Sequence, residues 1–110
     1  MKLKPHEIRV LDMLVSDVIS SKTMNNIKTN PTVTDYYTTG HGYFLTVEDA
    51  GLPVERIVCD EPVIIGECNG IETTFLVFIE NHELTIECAG MGEIEPPQDY
   101  RDWDVNVSRA

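Results

Sequence analysis

The chain has 110 residues, of which 42% are hydrophobic and 25% are charged. This composition is typical of one globular domain that buries a core without metal or disulfide staples. Eight basic residues against nineteen acidic ones give a net charge of −11. Such a charge repels phosphate backbones and anionic lipid headgroups and attracts basic proteins. We therefore expect a basic protein partner, with no nucleic acid and no membrane among the partners.

The amino-terminal sequence and the cysteines predict a cytoplasmic location. The first residues lack the apolar run of a secretory signal, and no segment approaches the roughly eighteen apolar residues of a membrane span. The three cysteines, Cys59, Cys68 and Cys88, show no Cys-x-x-Cys spacing. This spacing argues against a disulfide framework and against a zinc site. We expect three reduced thiols and no metal or cofactor.

An amphipathic pattern predicts a helix over about residues 5–21. Pro5 suits a first helical turn, and apolar residues recur at three- and four-residue steps. These apolar positions are Ile8, Leu11, Leu14, Val15, Val18 and Ile19. The polar positions that we assign to the opposite side are Glu7, Arg9, Asp12, Ser16, Asp17 and Ser20. We expect this helix to cover the sheet of its own domain, the alternative being a helix that binds a partner.

Residues 28–42 form a threonine-rich segment with neither helical nor strand periodicity, so we predict a loop of about fifteen residues. Tyr36 and Tyr37 lie in this segment. Tyrosines on polar loops favour a binding surface because they provide contact area at little entropic cost. The alternative is that one ring closes the edge of the sheet.

Turn signals predict an antiparallel β-meander over about residues 43–89. Asn69-Gly70 is a strong hairpin signal, and Asn81-His82 is a weaker one. We place a third turn at Asp60-Glu61, before Pro62, and a further strand at Tyr43–Glu48. Segment 90–110 contains glycine and proline breaks and then an alternating pattern that predicts a short edge strand.

The two-residue turns also predict which side chains share a face of the sheet. Opposed pairs such as Ile64 with Phe75 and Phe75 with Cys88 lie on one face, and the Asp60-Glu61 turn sets Ile57 opposite Ile64. The predicted core face consists of Ile57, Cys59, Ile64, Cys68, Ile71, Phe75, Val77, Ile79, Leu84, Ile86 and Cys88.

The other face of the predicted sheet is the candidate binding surface. Its middle contains Val58, Val63, Ile65, Leu76 and Phe78, and its rim contains Arg56, Glu67, Glu72, Glu80, Glu83 and Glu87. Glu67 opposes Glu72 and Glu80 opposes Glu83, although opposed like charges cost stability. An apolar centre within a charged rim is typical of a protein-binding patch. The alternative is that the carboxy-terminal segment or the threonine-rich segment covers the apolar centre.

No catalytic constellation emerges from the sequence. The paired glutamates lie at hairpin ends exposed to solvent, where nothing in the sequence assigns one of them as acid and the other as base. His82 occupies a turn, and His41 lies between two glycines without a paired serine or cysteine. We therefore predict no catalytic residue. A ligand-binding protein or enzyme that uses Tyr36, Tyr37 and His41 is a second alternative.

Two runs of sequence resemble small bacterial proteins of uncharacterised domain families. They are Tyr37–Val47, with its Gly-x-Gly-aromatic strand, and Phe75–Cys88, an apolar hairpin that ends in an acidic strand. The resemblance covers roughly residues 37–97. Similarly small, acidic bacterial proteins include immunity proteins that neutralise secreted toxins, and the resemblance implies this role.

These observations predict an α+β fold, with an amino-terminal helix packed on a curved antiparallel sheet of five or six strands. The predicted function is that of a non-enzymatic immunity protein. It binds a basic toxin through Glu67, Glu72, Leu76, Phe78, Glu80, Glu83 and Glu87, together with Tyr36 and Tyr37. The alternative is a self-associating structural or adaptor protein, for which a homodimer is expected.

Overall fold

The computed structural model describes all 110 residues and shows an α+β fold. The helices and strands are α1 (Pro5–Leu14), α2 (Ser21–Thr29), β1 (Thr32–Thr38), β2 (Gly42–Glu48), β3 (Ile57–Cys68), β4 (Ile71–Glu80), β5 (Glu83–Gly90), a 3-10 helix (Tyr100–Asp102) and β6 (Asn106–Arg109). The strands form one antiparallel sheet in the order β1-β2-β5-β4-β3-β6.

The two hairpin turns predicted from asparagine dipeptides are confirmed. Asn69 and Gly70 have φ angles of 52° and 81°, and Asn81 and His82 have φ angles of 54° and 65°. The predicted registers follow from these turns: β3 pairs with β4 from Cys68 opposite Ile71, and β4 pairs with β5 so that Ile79 opposes Leu84. Positive φ at both central residues matches the twist of the flanking strands, which explains why these signals succeed.

The turn predicted at Asp60-Glu61 is wrong. These residues lie inside the twelve-residue strand β3, where the register with β4 shifts between Cys59 and Ile64. Ile57 therefore pairs with Ile79 of β4 and not with Ile64. An irregularity within a strand accommodates polar residues that resemble a turn in the sequence.

The loop predicted over residues 28–42 is also wrong. Its first residues complete α2, and most of the remainder forms β1, which pairs with β2 so that Tyr37 opposes Phe44. β1 is an edge strand, and it pairs on one side only. Its threonines are good strand formers, but a half-solvated edge does not require the apolar alternation on which the prediction relied.

The helix predicted over residues 5–21 ends earlier in the structure, and a second helix that was not predicted, α2, begins at Ser21. α1 ends at Leu14, and the residues from Val15 to Ile19 continue as a turn in which Val15 and Ile19 remain buried. Ser20 then caps α2, because its hydroxyl accepts a hydrogen bond from the Thr23 backbone N–H at 3.1 Å. The apolar stripe predicts which residues are buried, but it does not report the break between the helices.

The two helices and the carboxy-terminal segment pack on the same face of the sheet. α1 contacts β3, β4 and β6. Tyr100 and Val105 belong to the same buried core, and the Arg9 guanidinium donates a hydrogen bond to the Val105 carbonyl at 3.1 Å. The opposite face, called the outer face below, is therefore left without a covering layer. No helix has the length and apolar character needed to cross a membrane.

Candidate functional site

The outer face combines apolar, hydroxyl and acidic side chains from strands β1 to β5. Its members follow from the strand registers, because directly opposed residues point to the same side of a sheet. The apolar members are Tyr37, Phe44, Val58, Val63, Ile65, Leu76 and Phe78, and the threonines are Thr46, Thr74 and Thr85. The charged members are Asp35, Glu48, Glu67, Glu72, Glu80, Glu83, Glu87 and, just before β3, Arg56.

The apolar members form the middle of the outer face and are accessible to solvent. Tyr37 stacks on Phe44 with ring centroids 5.2 Å apart and an interplanar angle of 22°. On the other side of the sheet centre, Phe78 opposes Val58. Tyr37, Val58 and Val63 are 51%, 50% and 54% exposed. The structure therefore contradicts the alternative that the carboxy-terminal or threonine-rich segment covers this surface.

One end of the outer face is a ladder of glutamates. Glu48, Glu83 and Glu80 lie side by side on the neighbouring strands β2, β5 and β4. Arg56 lies 3.5 Å from Glu80, and the Thr34 hydroxyl donates a hydrogen bond to Glu83 at 3.3 Å. Three carboxylates at neighbouring register positions repel one another, so this end carries a concentrated negative charge.

The other end of the outer face carries a second acidic pair. Glu67 of β3 opposes Glu72 of β4, as the sequence predicted. The Gly70 backbone N–H donates a hydrogen bond to the Glu67 carboxylate at 2.9 Å, so Glu67 also supports the turn. Glu72 is exposed. The apolar middle is therefore flanked by carboxylates at both ends.

Glu87 does not lie on the rim, contrary to the sequence-based assignment. It lies in the middle of the outer face, with Phe44 directly opposite on β2 and Leu76 directly opposite on β4. No local signal in the sequence indicates that β2 pairs with β5, and this pairing is what places Glu87 in the middle.

The structure places Tyr36 on the face of the sheet opposite to that of Tyr37. Tyr36 opposes the buried Leu45, and its ring contacts that of Tyr43 at a centroid separation of 5.7 Å. The Arg101 guanidinium lies over the Tyr36 ring, 5.4 Å from its centroid. Partial burial raises the pKa of the Tyr36 hydroxyl. Because neighbouring residues of a strand point to opposite faces, only Tyr37 is on the outer face.

The structure does not bring Tyr36, Tyr37 and His41 together. His41 lies in the turn between β1 and β2, where its Nδ1 is 2.9 Å from the Glu95 carboxylate, and both side chains are exposed. Two shallow cavities occur elsewhere. One of about 120 Å³ is lined by Phe78, Glu80, Asn81, Glu83 and Thr85, and one of about 260 Å³ by Gly70, Ile71, Glu72, Gly92, Glu93 and Ile94.

A buried polar network on the helical side was not predicted from the sequence. Glu7, which was assigned to the solvent side of the helix, is fully buried. Arg101 donates to it from Nε at 2.8 Å and from Nη2 at 2.9 Å. The Tyr43 hydroxyl donates at 2.6 Å and the Lys4 backbone N–H at 2.7 Å. His6 Nε2 lies 3.1 Å from the Tyr43 hydroxyl.

This network ties the ends of the chain to the sheet. The helical period could have revealed it, because Glu7 precedes the buried Val10 and Leu11 by three and four residues. Burial opposes charge on Arg101, but its hydrogen bond and attraction to Glu7 outweigh that effect and raise its pKa. Burial and the nearby Glu7 raise the pKa of Tyr43. Since no buried side-chain polar atom lacks a partner, we assign the network a structural role.

The three cysteines are free. Burial raises the pKa of the Cys88 thiol to about 12 and also raises that of Cys59. Cys59 lies on β3 and Cys88 on β5, with β4 between them. Thiols in this state are poor nucleophiles and pack as small apolar groups.

Comparison with protein-family models, with curated proteins and with solved structures found no match to this chain.

Proposed function

We propose that the chain is a non-enzymatic protein-binding module whose outer face captures a basic protein. We further propose that this partner is a secreted bacterial toxin, which the chain neutralises in the cytoplasm as an immunity protein. The observation that supports this most strongly is an uncovered sheet face with an apolar middle between two acidic ends. The apolar middle provides the surface whose burial stabilises a complex, and the acidic ends select the charge of the partner.

The outer face is strongly acidic and carries little positive charge of its own. The outer face carries seven acidic side chains and one arginine, whereas all four lysines lie within the first 28 residues, in or beside the helical layer. Lys4 and Lys28 pair with Asp102 and Asp12 outside the outer face. The negative field of the outer face is therefore not neutralised locally. Such a field raises the association rate with a basic protein and is screened by salt.

The same charges disfavour self-association through this face. Two copies meeting face to face would bring seven acidic side chains of one copy towards seven of the other, and juxtaposed like charges destabilise an interface. A partner of opposite charge removes this repulsion. The self-associating alternative is tested by size-exclusion mass at low and high salt, where a stable dimer that buries the outer face would contradict our proposal.

The functional test uses the product of the gene adjacent to the one that encodes this chain, because immunity proteins are usually encoded beside their toxins. We expect that product to arrest growth when it is expressed alone and to bind this chain as a one-to-one complex that restores growth. An adjacent product that is harmless, or that is toxic but does not bind, would contradict the immunity role.

Binding kinetics then test whether the outer face is the surface that contacts the partner. We expect Glu72→Lys with Glu83→Lys to slow association about tenfold at low salt, and we expect the difference to shrink at high salt. Asp17→Lys with Asp99→Lys is the matched control, because it changes net charge equally at exposed positions outside the outer face. Leu76→Ala or Phe78→Ala should instead raise the dissociation rate, since each removes an apolar anchor. Equal effects of the two charge reversals would show that net charge, and not this face, guides capture.

A further inference from the structure

Glu87 differs from the other acidic side chains of the outer face in its surroundings. Glu83 and Glu87 are both half-buried, whereas the remaining acidic members are exposed. Glu83 accepts a hydrogen bond from Thr34. Glu87 belongs to none of the five ion pairs of the molecule, and Phe44 and Leu76 flank it. A charged group without a partner therefore lies at the centre of an apolar surface.

The position of Glu87 restricts what can dock on this surface. A partner that covers the apolar middle also removes water from the Glu87 carboxylate. Burial of a carboxylate without a counter-charge strongly disfavours a complex. A partner that binds tightly therefore has to compensate this charge, and a cationic side chain does so most directly.

The molecule itself shows which cation suits such a site. Arg56 lies over the Phe78 ring, 5.6 Å from its centroid, and 3.5 Å from the Glu80 carboxylate. Arg101 lies over the Tyr36 ring and makes two hydrogen bonds to Glu7. In both places a glutamate and an aromatic ring together hold a guanidinium group. Glu87 and Phe44 form a third pair of glutamate and aromatic ring, and this pair holds no arginine.

We propose that Glu87 binds an arginine side chain of the basic partner, with the guanidinium on the carboxylate and beside the Phe44 ring. This proposal rests on the proposed function of the outer face. Arginine fits better than lysine because its planar guanidinium bonds a carboxylate through two N–H groups, stacks on aromatic rings and is weakly hydrated. The methylene groups of the arginine would pack on Leu76.

A peptide titration tests the site without the partner. The probes are acetyl-Gly-Arg-Gly-amide and the same peptide with lysine or citrulline at the centre, observed by NMR of the protein with ¹³C-labelled glutamate and phenylalanine. We expect the arginine peptide to shift the Glu87 carboxyl carbon and the Phe44 ring at lower concentration than the lysine peptide does. Citrulline has the same shape without the charge and should cause no shift.

Two glutamine variants test whether the response to the arginine peptide depends on Glu87. Glu87→Gln should abolish the response to the arginine peptide, and Glu72→Gln, which removes an exposed carboxylate of the same face, should retain it. Shifts centred on Glu67 and Glu72, or an unchanged response in Glu87→Gln, would overturn the proposal. Circular dichroism confirms that both variants are folded.

Binding measurements on the complex with the adjacent gene product distinguish a failure of the Glu87 proposal from a failure of the proposed function. We expect Glu87→Gln to raise the dissociation rate about thirtyfold or more, with the effect persisting at high salt. If Phe78→Ala and the double charge reversal weaken the complex but Glu87→Gln does not, the face binds and Glu87 is not an arginine site. If none of these variants weakens it, the proposed function of the face fails as well.

Discussion

Single residues decide how the two ends of the chain are fixed to the sheet. Glu7 of α1 and Arg101 of the 3-10 helix are both buried, and their two hydrogen bonds join residues 94 positions apart. Removing both groups from water is costly, and their attraction offsets this cost only while each has its full set of partners. Glu7 accepts four hydrogen bonds, and Arg101 also donates to the Lys2 carbonyl at 2.7 Å.

The first prediction concerns this ion pair. Arg101→Met should lower the free energy of unfolding by about 3–5 kcal/mol, because it leaves the Glu7 carboxylate buried without a counter-charge. Replacing both residues, as Glu7→Leu with Arg101→Met, should cost less than the sum of the two single changes. Urea denaturation measures both effects. Arg109→Met, at the exposed end of β6, is the control and should change stability by less than about 0.5 kcal/mol. Additive losses would show that the pair is not coupled.

The second prediction concerns His6 and acid. Burial, and then the nearby Arg101, Arg9 and Lys4, lower the pKa of His6 from its ordinary 6.5, while Glu7 opposes this. The folded state therefore keeps His6 neutral at pH values where the unfolded chain already binds a proton. Stability from this group is present above about pH 6.5 and is lost as the pH falls towards the lowered pKa.

Comparison with His6→Gln isolates this effect, because glutamine retains a donor for the Tyr43 hydroxyl but does not titrate. Between pH 7 and 5.5 the free energy of unfolding should fall more in the unmodified protein than in the variant, by at most about 1 kcal/mol. His41 and His82 are present in both proteins, so they do not contribute to the difference between the two. Equal losses would show that His6 is protonated in the folded state.

At the scale of secondary structure, the two asparagine turns were the features of the sequence from which most of the strand pairing could be predicted. Asn69-Gly70 and Asn81-His82 fix the registers of β3, β4 and β5, and those registers assign the core face and the opposed glutamates correctly. The local backbone requirement of positive φ decides these turns, so nearby residues suffice to predict them.

The third prediction tests the first of these turns. Asn69→Ala with Gly70→Ala should lower the free energy of unfolding by about 1 kcal/mol or more, because both residues have positive φ and alanine is strained there. Gly92→Ala is the matched control, since Gly92 has no positive φ and an added methyl group meets no neighbour. A turn variant as stable as the control would mean that the turn does not hold the register.

Other elements depend on contacts that are remote in the sequence. The pairing of β2 with β5 places Glu87 between Phe44 and Leu76, and no local signal reports that pairing. Residues 28–42 read as a loop because β1 is half-solvated, and the Asp60-Glu61 dipeptide reads as a turn because β3 contains an irregularity. The identity of most core residues was therefore predictable from periodicity, whereas the centre of the candidate site was not.

At the scale of the whole molecule, the fold separates the packed core from the candidate binding surface. The helices, the buried network and the carboxy-terminal segment all pack on one face of the sheet, so the other face is free to carry seven acidic side chains and an apolar middle. Opposed glutamates on that face cost stability. We interpret this cost as a consequence of selection for a basic partner.

The most direct test of this account is a methyl NMR footprint of the complex with the adjacent gene product. We expect binding to shift the methyl signals of Val58, Val63, Ile65 and Leu76, which lie on the outer face, and to leave those of Ile8 and Val18 on the helical side unchanged. Shifts confined to Ile8 and Val18, with the outer-face methyl groups unchanged, would contradict the account and place recognition on the helices.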